Sequence, residues 1–316
     1  MSVGSLFTAW EVFRRGKRSR PDIQAYERHL EENIFNLHDE LTLGSYRHYR
    51  YMPFTICDPK QRQIHKATVQ DRLVHQAVVT AIEPLFERQF IYDSYSCRLN
   101  KGTHAAVTRL QRFLRSASNN NTRTVYALKC DIKQFFASVD HGILIELIEA
   151  KIDCPQTLRL IKEIIGSFNS DTGKGIPLGN ITSQLFANVY LHELDWFVKH
   201  KLRKKHYLRY CDDFIILGHD RGELLAMVED IRRFLNTRLR LTLHPQKVSV
   251  HSWNQGIDFL GYVLTPHATV LRHKTKMRML KRVEEANLTS YLSLFSHANA
   301  YELSQILIMK IGTAEK

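Results

Sequence analysis

Residues 208–218 read LRYCDDFIILG, and two adjacent carboxylates, Asp212 and Asp213, stand in the middle of an otherwise apolar, β-prone run. A buried, unpaired carboxylate costs several kcal/mol or shifts its pKa. A cation, most simply a metal ion, is therefore expected beside the pair. Apolar arms on both sides predict a β-hairpin that carries its carboxylates at the turn. Upstream, TVYALKCDIKQFFASVD (124–140) is a second β-prone run, broken by Asp131 and followed by the helical pattern HGILIELIEAKI. If Asp131 ends a strand next to the hairpin turn, the carboxylates can converge on two ions roughly 3.5–4 Å apart. Mg²⁺ suits such a site, being a hard cation that is usually held by one or two carboxylates plus substrate phosphates.

The rest of the chain sets the context. Its 316 residues suffice for one large domain or for two to three subdomains around a shared site. Lys and Arg number 45 against 32 Asp and Glu, a formal charge of +13 spread along the chain, so a polyanion such as nucleic acid is the natural partner. Five cysteines, Cys57, Cys97, Cys130, Cys154 and Cys211, show no zinc-ligand spacing and read as reduced thiols. There is no signal-peptide pattern and no apolar run near the roughly 18 residues of a membrane span, so an intracellular, cytoplasmic protein with no membrane partner is expected.

The N-terminal stretch pairs a basic patch, FRRGKRSRPD, with AYERHLEENIFNLHDELTLG, in which Tyr26, Leu30, Ile34, Leu37 and Leu41 recur at helical spacing before Gly44. Aromatic and basic residues alternate in SYRHYRYMPFTI, DRLVHQAVVTAIEPLFERQF predicts a helix ending near Pro84, and SASNNNTR (116–123) predicts a loop. GKGIPLGN is a glycine-rich loop opening the helix ITSQLFANVYLHELDWFVKHKL; LLAMVEDIRRFLNTRL is helical, LTLHPQKVSV and IDFLGYVLTP are strand-like, and the last 45 or so residues are mainly helical.

LKCDIKQFFASVD, YCDD, LTLHPQKVSV and GIDFLGYVL, in that order, resemble four blocks of a reverse transcriptase palm, and the resemblance runs from about Tyr46 to Tyr262. It implies an α/β, right-hand polymerase whose palm is an antiparallel sheet backed by helices. The expected divisions are a basic helical extension (1–45), fingers (46–125), palm (126–265, with a fingers-proximal segment near 155–180) and a short helical thumb (266–316). It implies catalytic roles for Asp131, Asp212, Asp213 and Lys247. The ligands of two Mg²⁺ ions, with Mn²⁺ an alternative, would be Asp131, Ile132, Asp212 and Asp213, and Lys247 would be the proton donor to pyrophosphate. Phe135 and Phe136 would flank the nucleotide, the Phe136 ring excluding a 2′-hydroxyl and so favouring dNTPs. Lys60, Arg62 and Arg72 of DPKQRQIHKATVQDR would meet the triphosphate, with Gly179 also at the nucleotide, and Arg98 and Lys101 of SYSCRLNKGTH would hold template RNA.

Most relatives of the group II intron and retron kind carry Gln-Gly followed by Ser-Pro in the glycine-rich block, whereas this chain has Leu178-Gly179 and Ser183-Gln184. That replacement resembles the reverse transcriptases of diversity-generating retroelements, as do SYSCRLNKGTH and SYLSLFSHANAYEL. Leu178 and Gln184 become fidelity positions, and the resemblance implies cDNA copied from a template-repeat RNA with errors at adenines. It also implies a small basic accessory variability protein as a partner, in a prokaryotic or phage-encoded system. A reverse transcriptase of another lineage (retron-like, group II intron-like or antiphage) and a non-catalytic nucleic-acid-binding protein are the rival readings. The intact Asp131, Asp212 and Asp213 disfavour the second.

Overall fold

The computed structural model describes residues 1–58 and 60–314. In chain order it begins with α1 (Val3–Phe13), α2 (Pro21–Glu27), α3 (Leu30–Leu43), β1 (Met52–Ile56), β2 (Arg62–Lys66), α4 (Val69–Glu87) and α5 (Thr103–Ala117). There follow β3 (Tyr126–Asp131), α6 (Phe135–Ser138), α7 (His141–Glu149), α8 (Pro155–Gly166), α9 (Ile181–Trp196), β4 (Tyr207–Tyr210), β5 (Asp213–Gly218) and α10 (Arg221–Leu239). The chain closes with β6 (Ser249–Ser252), β7 (Ile257–Phe259), β8 (Tyr262–Leu264), β9 (Thr269–Leu271), α11 (His273–Arg282), α12 (Glu285–Phe295) and α13 (Tyr301–Ala314). Two compact units are each built from three stretches of chain. Met1–Tyr92, Ile132–Trp196 and Phe234–Thr242 form the first, and Asp93–Asp131, Phe197–Arg233 and the chain from Leu243 onward form the second.

The first unit is mainly helical. α4 buries Leu73, Val74, Val78, Ile82 and Phe86, and it packs against α1 and α9. α9 buries residues on nearly every side, Leu185, Phe186, Val189, Tyr190, Leu191 and Leu194 among them, which is why its sequence lacks a polar stripe. β1 and β2 form an exposed antiparallel hairpin with Met52 opposite Lys66. Two expectations need correction. α4 runs through Pro84 to Glu87, because a proline in a last turn gives up one hydrogen bond and few residues follow it. The predicted helix ending at Gly44 is two helices, α2 and α3, broken at Arg28 and His29, although Gly44 does cap it in the left-handed conformation (φ 72°).

The second unit holds the sheets. Four antiparallel strands run in the order β4-β5-β3-β6, so β3 and β5 are the inner strands. Ala127, Leu128 and Cys130 of β3 and Phe214–Leu217 of β5 are buried, and α5 packs against β4 and β5. The stretch IDFLGYVLTP is a hairpin, not one strand: β7 and β8 meet at Leu260 and Gly261, both left-handed (φ 49° and 90°), as a tight two-residue loop requires. β9 extends this into a three-stranded sheet whose Ile257, Phe259, Tyr262, Leu264 and Leu271 share a core with Met279, Phe295 and Leu307 of the last three helices. Of LTLHPQKVSV, β6 takes up only Ser249 and Val250.

Candidate active site

Asp131 at the end of β3 stands opposite Asp213 at the start of β5, and Tyr210 at the end of β4 is also opposite Asp213. The turn is therefore Cys211 and Asp212 alone, with Cys211 left-handed (φ 55°). Directly opposed residues of antiparallel strands share a face with Cβ atoms about 4.5–5.5 Å apart. Asp131 and Asp213 thus lie side by side, with Asp212 next in the chain. Lys129 precedes Asp131 by two residues and takes the same face of β3. Its ammonium donates to the Asp258 carbonyl at 3.1 Å.

The electrostatics follow from this crowding. Burial, with the Asp131 charge in support, pushes the Asp212 carboxyl above the usual range. Asp213 is pushed up to about 6, chiefly by burial and then by its carboxylate neighbours, against the opposing pull of Lys129. Burial likewise raises the Cys211 thiol, keeping it protonated. Lys247 Nζ donates to Asp131 Oδ2 at 2.9 Å, the one ion pair seen on these three carboxylates among the described residues. An all-oxygen, under-neutralised donor set is what a hard divalent cation needs. Among the described residues no three acidic, histidine or cysteine side chains are placed as a metal cage.

Sequence reasoning missed the support behind the turn. Arg209 on β4 is fully buried, and its Nη1 donates to the Cys211 carbonyl at 3.0 Å. Its backbone bonds both Asp93 and Tyr95, and Asp93 is held by Arg109 at 2.8 Å and Lys199 at 3.2 Å. The available signal was an arginine in an apolar strand three residues before the acidic pair.

The remaining expected residues are distributed as follows. Arg98 folds back on Ser94, donating to its carbonyl at 2.9 Å and its hydroxyl at 2.7 Å, and Lys101 lies over the Tyr95 ring at 4.7 Å; both belong to the unit carrying the carboxylates. Lys60, Arg62, Arg72, Ile132, Phe135, Phe136, Leu178, Gly179 and Gln184 belong to the other unit. There Lys60, Arg62 and Gln184 are exposed, and Ile132 is buried. Arg72 is committed to Asp22 at 2.6 Å. Phe135 is buried against Tyr190, while Phe136 is half-buried, its ring 5.3 Å from that of Phe135 and its carbonyl accepting from Ile176 N at 2.8 Å.

Leu178 and Gly179 are strapped to β2. His65 N donates to the Leu178 carbonyl at 3.1 Å, and the Asn180 amide donates to the His65 carbonyl at 3.1 Å. Gly179 has φ +105°, and a Cβ there would meet Ile64 Cγ2 at 2.7 Å. Gly179→Ala should therefore cost about 1–3 kcal/mol of stability from backbone strain alone. Chemical denaturation of Gly179→Ala, with and without Ile64→Ala, checks this: the second change should recover only the steric part.

Comparisons with known proteins bear on the family and the fold. The model of the reverse transcriptase (RNA-dependent DNA polymerase) family matches residues 58–264. Protein YkfC of Escherichia coli (strain K12) is 25% identical over 271 residues, covering 72% of this chain and 70% of YkfC. The group II intron-encoded protein LtrA of Lactococcus lactis subsp. cremoris is also 25% identical over 271 residues, but the match spans 64% of this chain and only 44% of LtrA. Among solved structures, apo telomerase from Candida tropicalis gives a TM-score of 0.55 at 12% identity, covering 88% of this chain and 61% of that one. Telomerase from Candida albicans in complex with a fragment of telomeric RNA gives 0.52 at 12% identity, covering 78% and 54%. At such identity the likeness shows the fold, that of a right-hand polymerase. Because the family match takes in Asp131, the Asp212–Asp213 turn and Lys247 on one continuous stretch, this chain belongs to the reverse transcriptase (RNA-dependent DNA polymerase) family.

Proposed function

We propose that the chain is the RNA-directed DNA polymerase of a diversity-generating retroelement, copying a template-repeat RNA into cDNA with errors at adenines. The observation that carries the polymerase reading is the register of Asp131 against Asp213, with Asp212 at the adjoining two-residue turn. Asp131, Asp212, Asp213 and the Ile132 carbonyl would hold two Mg²⁺ ions, with Mn²⁺ able to substitute. Such ions supply Lewis-acid activation of the primer hydroxyl and neutralise charge on the departing pyrophosphate. Lys247 gives the pyrophosphate its proton. Phe135 and Phe136 shape the sugar side of the dNTP site, Lys60, Arg62 and Arg72 meet its phosphates, and Gly179 lets the backbone approach it. Arg98 and Lys101 hold the template.

In this assignment residues 1–45 form the extension, 46–125 the fingers, 126–265 the palm and 266–316 the thumb, of which Glu315 and Lys316 lie outside the described residues. Partners are the template RNA, its cDNA and a small basic accessory protein, in the cytoplasm of a prokaryotic cell. Among the described residues no helix is long and apolar enough to cross a membrane.

The diversifying half rests on IPLGNITSQ. Leu178 is half-buried and Gln184 exposed, so both can face a bound nucleotide. An apolar wall penalises a misplaced base less than a polar group left unpaired does. Extension of a primer on RNA with Mg²⁺, followed by deep sequencing of the cDNA, is expected to show errors concentrated opposite adenines. The double variant Leu178→Gln with Gln184→Pro should lower that rate by about tenfold, the effect of one neutral hydrogen bond of about 1.4 kcal/mol. Uniformly low errors in the unsubstituted enzyme would leave the second reading, a reverse transcriptase of another lineage, which the match to a group II intron-encoded protein favours.

A further inference from the structure

The turn that carries Asp212 is not one its own residues favour. Tyr210 and Asp213 are the last paired residues of β4 and β5, so Cys211 and Asp212 make the whole loop, and of the two only Cys211 is left-handed (φ 55°). A two-residue hairpin loop with a positive φ at its first position alone is the II′ pattern, which takes glycine there. A cysteine in that place is strained, and it stays only where its surroundings over-determine it.

Arg209 supplies that constraint. It is fully buried, and its Nη1 donates to the Cys211 carbonyl at 3.0 Å. Its own backbone is held on a neighbouring segment: Arg209 N donates to the Asp93 carbonyl and its carbonyl accepts from Tyr95 N, both at 2.9 Å, as a parallel bridge with Ser94. That segment is itself tied down, Asp93 by Arg109 and Lys199, and Ser94 by Arg98. The guanidinium thus reaches the turn from a fixed base. A planar trans peptide carries its carbonyl and its N–H on opposite sides, so the bond to the Cys211 carbonyl also fixes the Asp212 N–H. That N–H faces the Asp212 carboxyl: burial raises this carboxyl, and the strongest pull against burial comes from the residue's own N–H. One peptide therefore has the Arg209 guanidinium at one end and the Asp212 carboxyl at the other. We propose that Arg209 is a positioning residue for metal binding: by holding the Cys211–Asp212 peptide it keeps Cys211 left-handed and aims the Asp212 carboxylate at the ions. This rests on Asp212 being a metal ligand. A purely structural arginine would stabilise the strand and leave metal affinity alone.

The test reads metal binding without turnover. The full chain is assembled with an RNA template, a DNA primer ended by a dideoxynucleotide and the next dNTP. Bound Mn²⁺ is followed by loss of the free-ion electron paramagnetic resonance signal against the same mixture without the chain, and a melting temperature is taken for each variant. Arg209→Lys keeps the charge but loses the planar fork of donors. It should weaken Mn²⁺ binding by about tenfold, the fold-change of one lost hydrogen bond. Adding Cys211→Gly should restore most of that loss, because glycine keeps a positive φ without a clamp. Wild-type Mn²⁺ affinity in Arg209→Lys overturns the inference, as does a loss that Cys211→Gly leaves in place. A chain that Arg209→Lys unfolds and Cys211→Gly does not return to the folded state overturns it too, by showing a structural role. Asp212→Asn separates the inference from the reading beneath it. If that variant binds Mn²⁺ like the wild type, Asp212 is not a ligand; if it binds weakly while Arg209→Lys binds normally, only the role of Arg209 falls.

Discussion

Asp212→Asn should abolish nucleotide addition while leaving RNA affinity and the fold intact. Asn keeps the size of the side chain and one of its two oxygens but removes the charge, at a turn where three carboxylates face one paired ammonium. Lewis-acid stabilisation in such sites amounts to several kcal/mol. Losing about 4 kcal/mol of it corresponds to about 10³-fold in rate. The decisive measurement pairs single-turnover primer extension with RNA binding on one protein preparation. Loss of both would point to a folding defect, and extension near the wild-type rate would remove Asp212 from the metal site.

Phe136→Ala should admit ribonucleotides. The chain leaves β3 at Asp131, turns at the left-handed Gln134 (φ 47°) and enters α6, which Phe136 helps to anchor through its carbonyl bond to Ile176. The backbone is thus fixed while the ring is only half-buried. Forcing an extra hydroxyl against a fixed ring costs about 1–3 kcal/mol, so discrimination against rNTPs should fall by about 5- to 150-fold. Competition between dNTP and rNTP in single-turnover extension reads this directly. Selectivity that stays unchanged would assign Phe136 to core packing beside Phe135.

The acidic turn was legible because a short polar break between two β-prone arms has few other solutions, and Asp131 was legible for the same reason at a strand end. What stayed hidden depends on neighbours distant in sequence. Arg209 looks like an exposed strand residue until Asp93 and Tyr95 are seen beside it. Arg72 looks free until Asp22, fifty positions earlier, pairs with it. The strand-like IDFLGYVLTP concealed its turn because Leu260 gives no local signal for a left-handed backbone. Pro84 misled by its type, since its effect is set by its distance from the helix end.

The central place of β3 also governs when the site can exist. Its partners are β5 and β6, with Lys129 opposite both Ile215 and Ser249. Pairings over such separations must overcome loop-closure entropy before they are rewarded, so they form late. On a ribosome making about 5–20 residues per second, the strand bearing Asp131 waits several seconds for its first partner and longer for its second. A nascent or truncated chain ending before residue 249 lacks β6 and leaves β3, rich in apolar side chains, as an edge strand open on one side to association with other chains. The sheet that aligns the carboxylates is thus completed only once β6 has been made, and chains that stop before it lack its fourth strand.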